Sequence, residues 1–263
     1  MEIRGAAAVV TGASSGIGRE TALEFARAGA SVALAARRID RLEEAAREIE
    51  SAGGRALVVG CDVTLRDEVE RLAREVRDSF GRCDVLLNSA GVPGGGEFTK
   101  LSFEQVESVV RSNLLSILMC TKAFLPMMLE AGRGHVVNIA SLAGRHAVPG
   151  ASVYSATKHA VVAFSNSLNE ELQSKGVLVT SVNPGLVRTE GFPMVGTDPR
   201  LVMEPARVAR VIVDVVRKDK APEVSIPRWA GSLETFRILT PGPYRWAVRK
   251  ILRRRHRPEP APD

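Results

Sequence analysis

Two rhythms of apolar positions alternate along the chain. Short β-branched or apolar runs predict strands at residues 6–11, 31–36, 56–61, 85–88, 135–140, 177–183 and 223–226. Between them, apolar residues recur three or four positions apart, which predicts amphipathic helices at residues 16–28, 41–52, 65–80, 103–130, 152–174 and 205–217. Seven apolar strands alternating with helices predict a parallel sheet covered on both faces, an α/β doubly wound domain. No Pro/Ser/Gly-rich linker interrupts residues 1–226, so that span is expected to be one domain. Residues 227–263 then form a basic C-terminal extension. In such sheets ligands bind beyond the carboxyl ends of the strands.

Length and charge refine this picture. At 263 residues the chain is long enough for a substantial core. Its net charge of +6 is unevenly placed, because residues 228–257 hold nine Lys/Arg against one acid, Glu234. Within that stretch Tyr244, Ala247, Val248, Ile251 and Leu252 form a helical apolar stripe beside Arg245, Arg249 and Lys250. A basic amphipathic helix of this kind can lie on an anionic membrane surface, or it can cover the pocket or a partner subunit. No aromatic-rich sheet or recognition motif points to nucleic acid. The opening residues lack a signal-peptide pattern, and no uninterrupted apolar run approaches the roughly 20 residues of a membrane span. Cys61, Cys83 and Cys120 are scattered and apolar in setting, and the four histidines do not cluster with them. No metal site is expected, and the cysteines suit reduced core thiols in a cytoplasmic protein, with peripheral membrane contact as an addition.

Candidate chemistry begins where the first strand meets the first helix, at Thr11-Gly12-Ala13-Ser14-Ser15-Gly16-Ile17-Gly18. Gly12 permits a tight turn, Gly16 lets the backbone approach a pyrophosphate, and Gly18 lets helix and strand pack closely. The helix N-terminus suits that anion. An acid at the end of the second strand would hold the ribose 2′-hydroxyl of NAD. Here Ala36 stands there, followed by Arg37 and Arg38, which favours the 2′-phosphate of NADP(H), with Ser14 as a second phosphate contact. Farther on, Tyr154 and Lys158 lie four apart in a helical stretch, so both leave one face. A tyrosine has a reference pKa of about 10, and a neighbouring ammonium is expected to lower it toward the range of efficient proton transfer.

These motifs, in this order and spacing, resemble the short-chain dehydrogenase/reductase family across residues 5–226. The resemblance rests on the Thr11–Gly18 loop, Asp62-Val63, Asn88-Ser89-Ala90-Gly91, Asn113, Ser141, Tyr154-x-x-x-Lys158, and Pro184-Gly185 leading to Thr189. It implies a Rossmann-type fold and catalytic roles for Asn113, Ser141, Tyr154 and Lys158. Tyr154 would protonate a carbonyl oxygen in reduction and act as base in the reverse direction. Lys158 would also hold the nicotinamide ribose, Ser141 would orient the substrate oxygen, and Asn113 would anchor a water leading from Lys158 to solvent. Gly12, Ser14, Ser15, Gly16, Ile17, Gly18, Arg37 and Arg38 would belong to the cofactor-binding set. Asp62 and Val63 would touch the adenine, and Asn88, Ala90 and Gly91 would line the adenosine side. Pro184, Gly185, Val187 and Thr189 would frame the carboxamide. The family also implies a homo-oligomer, dimer or tetramer, with helices 103–130 and 152–174 paired across a two-fold axis. Two departures stand out: Ser89 replaces a second asparagine, and Ser225-Ile226-Pro227 replaces the usual Asp-Gly-Gly.

A pocket bordered by residues 94–98, 142–150 and 190–203 is expected, and the last segment combines Gly191, Pro193, Gly196 and Pro199 with Phe192, Met194, Val195, Leu201 and Met203. That composition fits a mobile, apolar lid and a small-molecule substrate, a bulky apolar carbonyl or alcohol rather than a small charged one. The leading reading is NADP(H)-dependent hydride transfer to an apolar ketone or from a secondary alcohol. The alternative is a catalytically silent NADP(H)-sensing or scaffold protein on the same fold.

Overall fold

The computed structural model describes residues 1–146, 148–192, 198–231 and 239–243. The expected helix over residues 244–252 lies outside the described residues, as does most of the C-terminal extension.

Seven strands form one sheet: β1 (Ala7–Thr11), β2 (Ser31–Ala36), β3 (Arg55–Gly60), β4 (Val85–Asn88), β5 (Gly134–Ile139), β6 (Val177–Pro184) and β7 (Glu223–Ile226). Their order is β3-β2-β1-β4-β5-β6-β7, and every neighbouring pair is parallel. The order reverses between β1 and β4, which opens a crevice at their carboxyl ends. The expected strands are all present, with ends moved by one residue or so.

Burial follows the period-two rhythm of a strand with both faces covered. Ala8 and Val10 of β1, with Val32 and Leu34 of β2, join Phe25, Leu42, Val208 and Ile212 in one core cluster. Val9 and Ala33 point the other way, into a cluster with Leu72, Val76, Phe124 and Met128. The first cluster lies under α1 (Gly16–Arg27), α2 (Ile39–Ser51) and α7 (Pro205–Arg217), and the second under α3 (Arg66–Phe80) and α5 (Ser116–Glu130). A third, smaller cluster joins Ile117 to Val161 and Val162 of α6 (Ser152–Leu172).

The stretch expected as one helix over 103–130 is divided. α4 (Phe103–Val110) begins with a capping box, in which Ser102 Oγ accepts from Gln105 N–H and the Gln105 side chain accepts from Ser102 N–H. A π-helical turn, Arg111–Leu115, then precedes α5. The wider turn accommodates one extra residue and lets Asn113 point inward, fully buried. By length and composition the whole 103–130 stretch is apolar enough to cross a bilayer. Its buried residues, Cys120, Phe124 and Met128 among them, instead lie against the sheet.

Candidate active site

The glycine loop is shaped by contacts no side chain would permit. Gly12 has φ +68°, and a Cβ there would sit 2.8 Å from the backbone nitrogen of Ala90. A Cβ on Gly18 would meet the carbonyl oxygen of Gly12 at 2.3 Å. The loops after β1 and β4 therefore touch backbone to backbone, stapled further by Ser89 N–H donating to Thr11 Oγ1 at 3.2 Å. Beyond the loop, α1 starts at Gly16 with no side-chain cap on its N-terminus and no acid in its first turn. Its first N–H groups are thus left for an anion, as a dinucleotide pyrophosphate requires. This geometry fits the nucleotide that the sequence implies.

Arg38 crosses this loop. Its Nη2 donates to Ser15 Oγ at 2.8 Å and to Ser14 Oγ at 3.1 Å, while its Nη1 donates to Glu190 Oε2 at 2.8 Å. Arg37 is more exposed and lies 4.0 Å from Asp62 Oδ2. The other Asp62 oxygen accepts from Thr64 N–H and the Thr64 hydroxyl, which fixes the turn after β3 beside buried Val63. Asn88 is buried, and its Nδ2 donates to Asn138 Oδ1 at 2.8 Å and to Thr121 Oγ1 at 3.2 Å. Asn138 Nδ2 donates in turn to Ser165 Oγ at 2.9 Å. The Asn88 side chain thus braces the sheet through its Nδ2.

On the opposite side of the crevice, β6 ends in Pro184, and Gly185 N–H donates to Ile226 O at 2.8 Å. Val187 pairs with Met203 as an isolated parallel bridge, and Thr189 pairs with Phe192 as an antiparallel one. Residues 193–197 of the expected lid lie outside the described residues.

The first turn of α6 presents Tyr154, and one turn later Lys158. Lys158 Nζ donates to Ile139 O at 2.8 Å and stands 5.6 Å from the centre of the Tyr154 ring. Ser141 follows β5 and caps a short 3-10 turn, Leu142–Gly144, its Oγ accepting from Ala143 N–H at 3.1 Å. Asn113 meets the strand-end loop from the other side, exchanging two hydrogen bonds with Val92. The four residues therefore converge at the carboxyl ends of β4 and β5.

Electrostatics correct one expectation. Lys158 does not bring the Tyr154 phenol below its ordinary range. Burial pushes the phenol up, and the Ser141 hydroxyl, hydrogen-bonded to it, offsets part of that rise. A phenol in a closed pocket favours its neutral form because water no longer solvates the phenolate. The same burial lowers the Lys158 ammonium to about 8. Tyr154 is thus kept neutral, beside an ammonium that remains mostly charged at neutral pH.

The pocket walls also come together. Gly96 N–H donates to Gly150 O at 2.7 Å, joining the 94–98 and 142–150 segments. Phe192 sets its ring edge-on to Tyr154, with centroids 5.8 Å apart and planes at 64°. Arg145 forms an ion pair with Glu223, whose Oε1 also accepts from Asn183 Nδ2 at 2.6 Å. This clamp ties the substrate-side loop to β7. Sequence reasoning missed it, as it missed Glu190, because partners 78 and 152 positions apart leave no local pattern. Cys61 is raised to about 11 and Cys83 and Cys120 higher still by burial, so none is a ready thiolate. Among the described residues no group of three His/Cys/Asp/Glu could hold a metal.

Comparison with known proteins agrees with this geometry. The family model described as short chain dehydrogenase matches residues 6–199. An uncharacterised oxidoreductase of Staphylococcus aureus is 36% identical over 218 residues, 83% of this chain and 94% of the relative. The ketoacyl reductase HetN of Nostoc is 33% identical over 228 residues, 85% of this chain and 79% of the relative. A crystal structure of a variant of actinorhodin polyketide ketoreductase with NADPH superposes with a TM-score of 0.76 at 35% identity, covering 81% of this chain and 90% of that one.

Proposed function

The chain belongs to the short chain dehydrogenase family of oxidoreductases, and from that premise we propose that it uses NADP(H) to interconvert an apolar ketone and a secondary alcohol. The observation that carries the reading is the placement of a neutral Tyr154 phenol between the Ser141 hydroxyl and the Lys158 ammonium, beside a nucleotide crevice. When bound, the nicotinamide supplies or accepts the hydride.

The protein's own residues hold and move the proton. The Ser141 hydroxyl orients the carbonyl oxygen toward Tyr154 Oη. The phenol donates its proton to that oxygen as negative charge develops there. Lys158, fixed by Ile139 O, then stabilises the phenolate that remains. In the oxidising direction the phenolate takes the alcohol proton, and the same ammonium lowers the cost of that base form. Phe192, whose ring lies edge-on to Tyr154, brings apolar surface to the site, which favours an apolar substrate over a small charged one.

For the cofactor, the absence of an acid at Ala36 and the collection of Arg38 with Ser14 and Ser15 support the 2′-phosphorylated form. The NADPH bound to the related ketoreductase is consistent with this choice. An oligomer belongs to the same reading: Phe103, Leu115 and Leu129 within 103–130 are exposed in one protomer, leaving apolar surface for a second copy.

The test is a panel of ketones and secondary alcohols assayed with both cofactors by the absorbance of the reduced nicotinamide. Turnover of bulky apolar members with NADPH supports the proposal. Cofactor binding with no turnover of any member would favour a silent sensing protein instead.

A further inference from the structure

One short turn touches three parts of the site at once. Phe192 N–H donates to Thr189 O at 3.1 Å, closing Thr189-Glu190-Gly191-Phe192 into a tight hairpin. Its first residue leans on the glycine loop, with Thr189 Cγ2 only 3.0 Å from where a Cβ on Gly16 would lie. Its last residue sets a ring against Tyr154. Between them Glu190 reaches outward, with Oε2 2.8 Å from Arg38 Nη1 and Oε1 3.9 Å from Arg41 Nη2.

Arg38 thereby gathers one carboxylate and the two hydroxyls of Ser14 and Ser15. A guanidinium fork offers planar N–H pairs that match carboxylate and phosphate oxygens equally well. Hydroxyls beside it complete a set that recognises a phosphate monoester. The carboxylate therefore engages, through Nη1, the same guanidinium that such a phosphate would use. Arg38, with Arg41 assisting, holds the Glu190 carboxyl below its ordinary range, so it stays ionised near neutrality.

We propose that Glu190 is a cofactor-discriminating residue, an internal competitor for the Arg38 donors that the 2′-phosphate of NADP(H) takes. Glu190 holds the Nη1 end of the guanidinium while its Nη2 and Nε face the two hydroxyls, so a phosphate arriving beside Ser14 and Ser15 comes against a carboxylate on the same cation, and like-charge repulsion displaces Glu190. A nucleotide without that phosphate leaves the Arg38–Glu190 pair in place. The proposal rests on the reading that Arg38 receives the 2′-phosphate. Its consequence is that Glu190 narrows the preference for NADP(H) over NAD(H), and that the hairpin carrying Phe192 is released only by the phosphorylated cofactor.

The experiment titrates the full chain with NADPH and with NADH, following nicotinamide fluorescence, in wild type, Glu190→Gln, Arg38→Leu and the double variant. Glu190→Gln is expected to tighten NADPH roughly two- to fivefold, the span of an exposed ion pair, and to leave NADH unchanged. In the Arg38→Leu background the same substitution is expected to have no effect, because the contested donors are gone. Equal changes for both cofactors, no change, or weaker NADPH binding on Glu190→Gln would overturn the competitor role. An Arg38→Leu variant with an unaltered NADPH-to-NADH ratio would instead count against the phosphate reading itself.

Discussion

The Asn113 carboxamide and the Val92 backbone hold each other in both directions: Val92 N–H donates to Oδ1 at 2.7 Å, and Nδ2 donates to Val92 O at 2.9 Å. A side chain here copies the pairing of a neighbouring strand, and it anchors the loop that passes Tyr154. Asn113→Ala leaves both Val92 groups without those partners in a partly buried setting. It is expected to lower stability by about 2–4 kcal/mol, read by urea denaturation, and to reduce turnover. Asn113→Asp keeps the acceptor and should fall between. Wild-type stability of Asn113→Ala would show the loop to be held by other means.

Tyr154→Phe removes the proton donor and leaves the crevice intact. Turnover should fall by about 10²–10⁴-fold, with NADPH affinity within a factor of about two in equilibrium titration. Comparable turnover in the variant and the wild type would end the assigned mechanism.

Ala36→Asp combined with Arg37→Leu places a carboxylate at the end of β2 and removes a cation beside it. The preference between cofactors should reverse toward NADH, as measured by the ratio of dissociation constants. An unchanged ratio would locate recognition of the phosphate elsewhere.

The charge on Lys158 gives a pH test. Its ammonium has been brought down to about 8 by burial, so it is charged below that pH and neutral above. The phenolate left after proton donation loses its neighbouring charge as pH rises through this value. The rate of ketone reduction should therefore decline on the alkaline side of about pH 8, with cofactor saturating. A rate that stays flat well beyond that point would remove Lys158 from the proton step.

Away from the site, His135 is fully buried, and burial lowers its pKa to about 4. The Thr180 hydroxyl donates to Lys220 O at 2.6 Å, so it accepts from His135, which places the proton on Nε2. The unfolded chain binds a proton near pH 6.5 and the native state does not until about pH 4. Stability should thus fall as pH drops through that window, by up to roughly 1.4 kcal/mol per pH unit. His135→Gln, compared by denaturation at the two ends of the window, should flatten the slope. A slope equal to that of wild type would assign the acid sensitivity to other groups.

How far the sequence disclosed all this depends on the range of the interaction. The glycine loop and the Tyr154–Lys158 pair are legible because backbone geometry alone fixes what four or six positions can do. The π-helical turn at Asn113 is not, since Arg111-Ser112-Asn113-Leu114-Leu115 has no residue that betrays an extra member in a helix. Phe192 meets Tyr154, and Glu190 meets Arg38, only through the whole course of the chain. The direction of the Tyr154 shift is not legible, because the neighbouring charge is visible in a sequence and the depth of burial is not.

The hydrogen-bonded row of Asn88, Asn138 and Ser165 has a further consequence, for how the sheet avoids assembling wrongly. Asn88 and Asn138 are direct partners across β4 and β5, and the rest of both strands is almost uniformly apolar. A slip of two positions would still bury valines and leucines on the same faces, so packing alone discriminates weakly among alignments. It would, however, strand a carboxamide in hydrocarbon, where an unpaired polar group is expensive. One pair of asparagines thus acts as a key that admits a single alignment, and the Ser141 and Gly91 ends of the two strands arrive level at the catalytic rim because of it.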